Sequence, residues 1–404
     1  MISEEISECC GCGACKNICP VNAISLTIKK NGNKTATIEH EKCLKCNKCD
    51  IVCPIQNDNI KKFPIKVFAG WNSNKKQQLN SSSGGIASAT MHYCLESIDF
   101  DCYATIWNYE KGCYIKKIEN VDDLNNAIGS KYIESQTEFS FTNIEESLKQ
   151  GKNIVFIGLP CQCAAIKLTF SKFIDKIILI DLICHGGVPN TYFEQHLNHI
   201  EKRNKKKTDT LSFRNPVQGF CLSLFEKGSK HPYYEKKMHD GQDLYYLAFR
   251  ENLIFREACY KCQYANEKRF SDITIGDYSG LGTLWEYTEK ERKVNCILVM
   301  TEKGSEFIQK LQTLGLISII ERPLSEPMSG KGNPQLRAPN KITKRHIKFL
   351  ELYEKNNDFE KSIKKVLSGY AFRVKFQIFC FFIYRLIRFI PRRLWWKING
   401  TKQK

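Results

Sequence analysis

Apolar and polar positions alternate most clearly in AISLTIKKNGNKTATIE (23–39), which predicts two short strands about an Asn31-Gly32-Asn33 turn. KVFAGWN (66–72) predicts a further strand, and SSSGGIASATMHYCLE (81–96) a helix entered from a small-residue loop. FDCYATIWN (100–108) is strand-like; a short acidic helix and the loop IGSKYIESQ (128–136) follow it. From Gly151 the pattern changes to continuous apolar runs bounded by turns. NIVFIGLPCQCAAIKL and KIILIDLICHGGVPNTYFEQHL each read as buried strand, turn, then helix. DITIGDYSGLGT (272–283) is a strand entering a glycine-rich turn, and 342–367 is helical and charged.

The cysteines supply the chemistry. Cys9-x-x-Cys12-x-x-Cys15-x-x-x-Cys19-Pro20 is repeated as Cys43-x-x-Cys46-x-x-Cys49-x-x-x-Cys53-Pro54. Three thiolates at i, i+3 and i+6 wrap one four-iron cubane, and the fourth, before proline, reaches the other cubane. Cys9, Cys12, Cys15 and Cys53 are thereby assigned to the first cluster, and Cys43, Cys46, Cys49 and Cys19 to the second. Cys10 is surplus to this spacing. Zinc also takes four thiolates, but eight in a duplicated run ending Cys-Pro point to iron. Clusters of this kind pass single electrons, so the rest of the chain is expected to hold an electron source or sink.

Composition narrows the class. A length of 404 residues suits two or three domains, and 42% hydrophobic with 26% charged residues excludes a disordered chain or a polytopic membrane protein. MISEEISECC has no apolar h-region, so the expected compartment is the reducing cytoplasm, with the 20 cysteines as metal ligands rather than disulfides. The net charge is +18, and nine Lys or Arg with no Asp or Glu fall between Gly369 and Lys404. That concentration argues against a nucleic-acid binder. The tail FRVKFQIFCFFIYRLIRFIPRRLWWKI has only Phe376 to Tyr384 free of charge, too short to span a bilayer. Its basic arc and Trp395-Trp396 fit either an interfacial helix on anionic lipid, through 370–398, or a helix docked on the body or on a partner.

Four further cysteines occupy suggestive positions. If the strands before Cys161 and Cys184 are parallel neighbours, their carboxyl ends deliver both residues to one crevice. Cys259-x-x-Cys262 would complete a set of four. The alternatives on spacing are a third 4Fe–4S cluster, a zinc, a redox disulfide at Cys259/Cys262, or unrelated buried thiols, with Cys163 a substitute for Cys161. Ser81 to Gly85 before a helix suit either a phosphate or an ordinary N-cap turn. Lys131 and Tyr132 follow a Gly-Ser turn, and Asp277 and Tyr278 end a strand where a ligand crevice is expected.

In order and spacing, the ferredoxin runs with SSGG, GSKYIES, GLPCQ, DLICHGG, CYKCQYA and DITIGDYSG resemble the coenzyme F-420 hydrogenase/dehydrogenase family of beta subunits, in particular bacterial members beginning with a two-cluster module. The resemblance spans about residues 5 to 340. It implies FAD and a 4Fe–4S cluster in the body. Cys161, Cys184, Cys259 and Cys262 would be the cluster ligands. Ser83, Gly84, Gly85, Lys131 and Asp277 would serve the flavin, and His185, Tyr278 and Lys131 are candidates for proton transfer or acceptor contact. The resemblance also implies a redox partner protein or small electron donor. The hydride acceptor would be organic, either deazaflavin-like or a polysaccharide-biosynthesis intermediate. The rival readings are an electron-transfer subunit with no substrate of its own, and a zinc-containing scaffold in a polysaccharide-biosynthesis complex.

The expected fold class is α+β: a ferredoxin-like two-cluster module (1–60), a larger mixed α/β flavin-binding body (66–150 and 151–340), and a helical basic tail (341–404). The expected location is cytoplasmic, with the tail against the inner face of the cell membrane as the variant.

Overall fold

The computed structural model describes residues 8–57, 61–216, 219–291, 293–370 and Ile383. The interfacial contact expected for 370–398 therefore lies, but for Tyr370 and Ile383, outside the described residues. The hairpin of the module forms as expected. Strands β1 (Ile24–Ile28) and β2 (Lys34–Ile38) pair antiparallel, and Gly32 takes a φ of 79° in the turn, where a side chain would be strained.

The body is built on one eight-stranded mixed sheet of strands β3 (Lys66–Asn72), β4 (Phe100–Asn108), β5 (Gly112–Lys117), β6 (Asn153–Gly158), β7 (Ile177–Leu182), β11 (Ile273–Asp277), β12 (Asn295–Val299) and β13 (Ile317–Glu321). The order is β13-β3-β12-β11-β7-β6-β4-β5. Strands β4, β6, β7 and β11 run parallel, and antiparallel pairs close both edges. The sheet thus joins the regions expected at 66–150 and 151–340 in one unit.

The apolar runs have a direct cause: both faces of the sheet are covered. Val155, Ile157, Ile178 and Ile180 face the helices Ile86–Glu96 and Glu302–Thr313. Ile154, Phe156, Ile177 and Leu179 face the helices Ser140–Lys149 and Pro160–Thr169. With period-2 alternation, a strand buried on both sides has no polar positions left to show.

Between β7 and β11 the chain leaves the sheet. It forms the helix Asn190–Asn204, a three-stranded sheet of β8 (Thr210–Asn215), β9 (Gly219–Phe225) and β10 (Tyr234–Lys237), and the helix Leu244–Arg250. An aromatic cluster including Tyr192, Phe213, Tyr245 and Tyr246 joins this insertion to Phe349, Tyr353 and Phe359 of the last described helices. The mixed α/β body behind a ferredoxin-type module is the fold class expected. No helix among the described residues is long and apolar enough to cross a membrane.

Candidate metal and cofactor sites

The module gathers its cysteines in two groups. Cys19, Cys43, Cys46 and Cys49 surround a small cavity of about 20 Å³. Cys15 lies electrostatically beside Cys9 and Cys53, and Cys12 beside Cys15; burial raises Cys15, and raises Cys53 to about 11. Backbone amides face these sulfurs: Gly11 N donates to Cys9 Sγ at 3.4 Å, Ala23 N to Cys19 Sγ at 3.3 Å and Lys45 N to Cys43 Sγ at 3.4 Å. Such N–H donors favour a thiolate, the form that ligates iron.

In the body, the parallel pairing of β6 with β7 brings Cys161 and Cys184 to one side. Both line a cavity of about 300 Å³ together with Cys259 and Cys262. Burial lifts Cys184 to about 12 and raises Cys259 and Cys262 as well. Backbone amides again meet the sulfurs. Gly187 N donates to Cys259 Sγ at 3.2 Å, Gly186 serves Cys184, and Tyr264 and Ala265 serve Cys262.

Two buried guanidiniums, Arg256 and Arg269, also line this cavity, and Arg256 Nε and Arg269 Nε and Nη2 have no hydrogen-bond partner among the described residues. Four thiols, amide donors and two cations suit an anionic group wider than one ion. Cys163 does not substitute for Cys161: it is fully buried, and its thiol donates to Ile180 O in the core. Cys10, surplus in the sequence, lines the same cavity and lies between Cys12 and Cys161, both of which lower its pKa.

A second cavity, of about 440 Å³, opens along the carboxyl ends of β6, β7 and β11. At one end lie Ser82, Ser83, Gly85 and the first turn of the helix Ile86–Glu96, whose N-cap, Gly85, has a φ of 90° and no side-chain cap. Ser130 N donates to Ser82 Oγ at 2.6 Å and ties the GSKY loop to this turn. Gly129 also lines the cavity with a φ of 92°, and a Cβ there would meet open space. Lys131 Nζ donates to the carbonyls of Ala127 (3.1 Å), Ile128 (3.5 Å) and Gly129 (3.3 Å), and burial lowers its pKa to about 8.

At the other end, Asp277 receives two bonds from Arg214, at 3.0 and 2.5 Å. Arg214 also donates to Tyr132 Oη at 2.7 Å and Ser82 O at 2.7 Å, and its guanidinium lies 4.1 Å from the centre of the Phe220 ring. Arg214 went unseen in the sequence because nothing in a lone arginine on a strand foretells its partners.

The two cavities share a wall: Leu159, Cys184, His185, Gly186, Gly187 and Gln335 line both. His185 is solvent-accessible from the cavities yet surrounded by protein, which lowers its pKa. Two expected residues lie elsewhere. Tyr278 lines neither cavity; its hydroxyl donates to Glu326 Oε2 at 3.0 Å, and burial raises its pKa, so the proton-transfer role expected for it is withdrawn. Gly84 also lines neither, because its Cα packs where a Cβ would meet Gly70 O at 2.4 Å and Asn295 N at 2.5 Å. Ser83 lines the second cavity while its hydroxyl donates to Val294 O at 2.9 Å.

Comparison with known proteins agrees with this layout. Residues 8–57 match the 4Fe-4S dicluster domain, and residues 151–323 match the family described as the C terminus of the coenzyme F-420 hydrogenase/dehydrogenase beta subunit. A curated relative, the F-type subunit of the F(420)H(2) dehydrogenase of Methanosarcina mazei, is 25% identical over 198 residues. That match covers 45% of this chain and 55% of the relative, so the chain spans about half of that protein. A chain of the F-420-reducing NiFe hydrogenase complex from Methanosarcina barkeri superposes with a TM-score of 0.44 at 14% identity, over 78% of this chain and 93% of that one. Through residues 151–323 the chain belongs to the coenzyme F-420 hydrogenase/dehydrogenase family of beta subunits, and ahead of that region it carries a 4Fe–4S dicluster domain.

Proposed function

We propose that the protein is an iron–sulfur flavoprotein oxidoreductase in which the module exchanges electrons with a third 4Fe–4S cluster on Cys161, Cys184, Cys259 and Cys262, and through it with FAD in the larger cavity. The observation that carries this reading is the shared wall of Cys184 to Gly187, which serves a four-cysteine cavity on one side and a phosphate-suited cavity on the other. FAD supplies the conversion between single electrons and a hydride, which a cubane cannot perform.

The residues have distinct tasks in this proposal. The uncapped first turn of Ile86–Glu96 offers backbone N–H groups and the positive end of its dipole to phosphate. Lys131 adds a charge below pH about 8. Ile157, Leu182 and Ile183 give the cavity apolar walls that exclude water. The Arg214–Asp277 pair fixes the loop ends around the opening. His185, with no side-chain hydrogen bond among the described residues and kept neutral by burial, is free to take or give a proton at its imidazole. The acceptor is proposed as organic, deazaflavin-like or a polysaccharide-biosynthesis intermediate, and the donor as a redox protein or small carrier. A cytoplasmic location, with 370–398 on the inner face of the membrane, belongs to the same proposal. A second reading, an electron-transfer subunit without its own substrate, is favoured by the relative being named as one subunit of a dehydrogenase.

The test is the iron, sulfide, zinc and flavin content of protein purified without oxygen. About twelve iron, four per cubane, with one FAD is the expected result. About eight iron with zinc and no flavin would replace the oxidoreductase with a scaffold, and about twelve iron without flavin would leave the electron-transfer subunit.

A further inference from the structure

The stretch from Arg256 to Tyr264 carries two of the four body cysteines and also grips the first cluster loop of the module on both sides. Arg256 is 4% exposed. Its Nη2 donates to Cys9 O at 3.0 Å and to Lys34 O, and its Nη1 to Glu134. Its backbone N donates to Gly187 O at 2.9 Å, the residue whose own amide serves Cys259. Across the loop, Gln263 Nε2 and Tyr264 Oη donate to Pro54 O at 2.6 and 2.8 Å, immediately after Cys53. The fit is tight: a Cβ on Gly11 would lie 2.9 Å from Arg256 Nη2. The first cluster position is thus the one held against the body cavity. Arg256 stands between them, with Nε unpartnered on a residue that lines the cavity.

We infer that Arg256 positions the first cysteine loop of the module against the body cavity, and that its charge, balanced by Glu134, sets how readily the group held there takes up an electron. The inference rests on the reading of that cavity as a cluster site. An arriving electron adds one negative charge and breaks no bond. A buried cation close by favours that charge because little solvent screens the pair. Glu134 lines the same cavity and opposes the effect, so the two side chains act with opposite sign from nearly one place.

The experiment is a mediated redox titration of the full chain purified without oxygen, followed by electron paramagnetic resonance, with iron counted for each variant. Arg256→Gln is expected to disfavour reduction of the body signal by about tenfold, some 59 mV for a one-electron couple. Glu134→Gln is expected to move the same signal in the opposite direction, and Arg256→Lys to restore most of the wild-type value. A clamp with no electrostatic role would lower iron content without giving shifts of opposite sign. Full iron content with unmoved potentials, or with both variants shifting the same way, overturns the inference. Where Arg256→Gln fails to fold, Glu134→Gln decides: a shift favouring reduction supports it, and no shift overturns it. Wild-type protein with about eight iron would overturn the reading of the cavity and the inference together, whereas about twelve iron with unmoved potentials would overturn the inference alone.

Discussion

The outer cysteine site of the module and the cysteine cavity of the body do similar chemistry by opposite means. Cys43, Cys46 and Cys49 come from one short loop, with Cys19 the only long-range member, and Cys46 and Leu44 stand exposed to solvent. Cys161, Cys184 and the pair Cys259/Cys262 come from three segments brought together by a parallel sheet and its insertion. The first site is specified by local spacing, so its loss should stay local. The second is specified by tertiary packing, so it should be lost whenever that packing loosens.

The largest test of this contrast is to remove one thiol from each. Cys46→Ala is expected to cost about four iron while leaving the melting temperature and flavin content near wild type. Cys259→Ala is expected to cost a similar amount of iron and also to destabilise the body, since two buried guanidiniums then face a cavity without its full set of anions. Iron assays beside thermal melts decide it, and equal melting temperatures in the two variants would break the contrast.

A second test loosens the insertion without touching a cysteine. His196 joins Asp243 at 2.9 Å and Glu360, tying the helix Asn190–Asn204 to Leu244–Arg250 and to the last described helix. Burial opposes its charge, but Asp243 and Glu360 outweigh that and raise its pKa to about 10. The folded value lies above the unfolded one of about 6.5. Its contribution is therefore full below about pH 6.5 and is lost as pH rises through about 10. His196→Gln leaves two buried carboxylates unpaired, which costs about 3–5 kcal/mol, and should flatten the loss of stability between pH 7 and 10. Denaturation midpoints across that range, with iron counted, should show the body cluster lost before the module clusters.

The same contrast explains what could be read from the sequence. The eight module cysteines were legible because their roles depend on spacing, and β6 and β7 because strands buried on both faces show as unbroken apolar runs. Cys161 and Cys184 could be brought together in advance by one rule about neighbouring parallel strands. Tyr278 could not be placed, because a strand end offers two directions and packing against Glu326 chose the one away from the cavity. Arg214, Arg256 and Cys10 carry no signal of their own; each acquires its role from partners distant in the chain. The insertion β8–β10 was missed for the same reason, since its edges are polar and its core is shared with the last helices.

A smaller effect concerns the second cavity. Lys131→Met is expected to weaken flavin binding by about tenfold to a hundredfold, the range for a charged hydrogen bond of about 1.5–3 kcal/mol. Because burial holds the Lys131 pKa near 8, wild-type affinity should fall as pH passes about 8, and the variant should lose that dependence. Flavin fluorescence titrations of the apoprotein from pH 6 to 9.5 measure both, and an unchanged profile in the variant would remove Lys131 from the flavin site.

The smallest effect separates docking of the module from integrity of its clusters. Tyr192 reaches from the body to donate its hydroxyl to Asn31 O, beside the bond from Thr191 Oγ1 to Gly32 O at 3.1 Å. Its ring is packed in the aromatic core against Phe349, Tyr353 and Phe359. Tyr192→Phe keeps that packing and deletes one hydrogen bond to the hairpin turn, worth about 0.5–1.5 kcal/mol. If the module's clusters are specified locally, iron content should stay at the wild-type value while proteolysis at the hairpin turn becomes a few times faster. A loss of iron from this single hydroxyl would mean that the module's own sites also depend on being docked, and the distinction between the two kinds of cysteine site would fail at its simpler end.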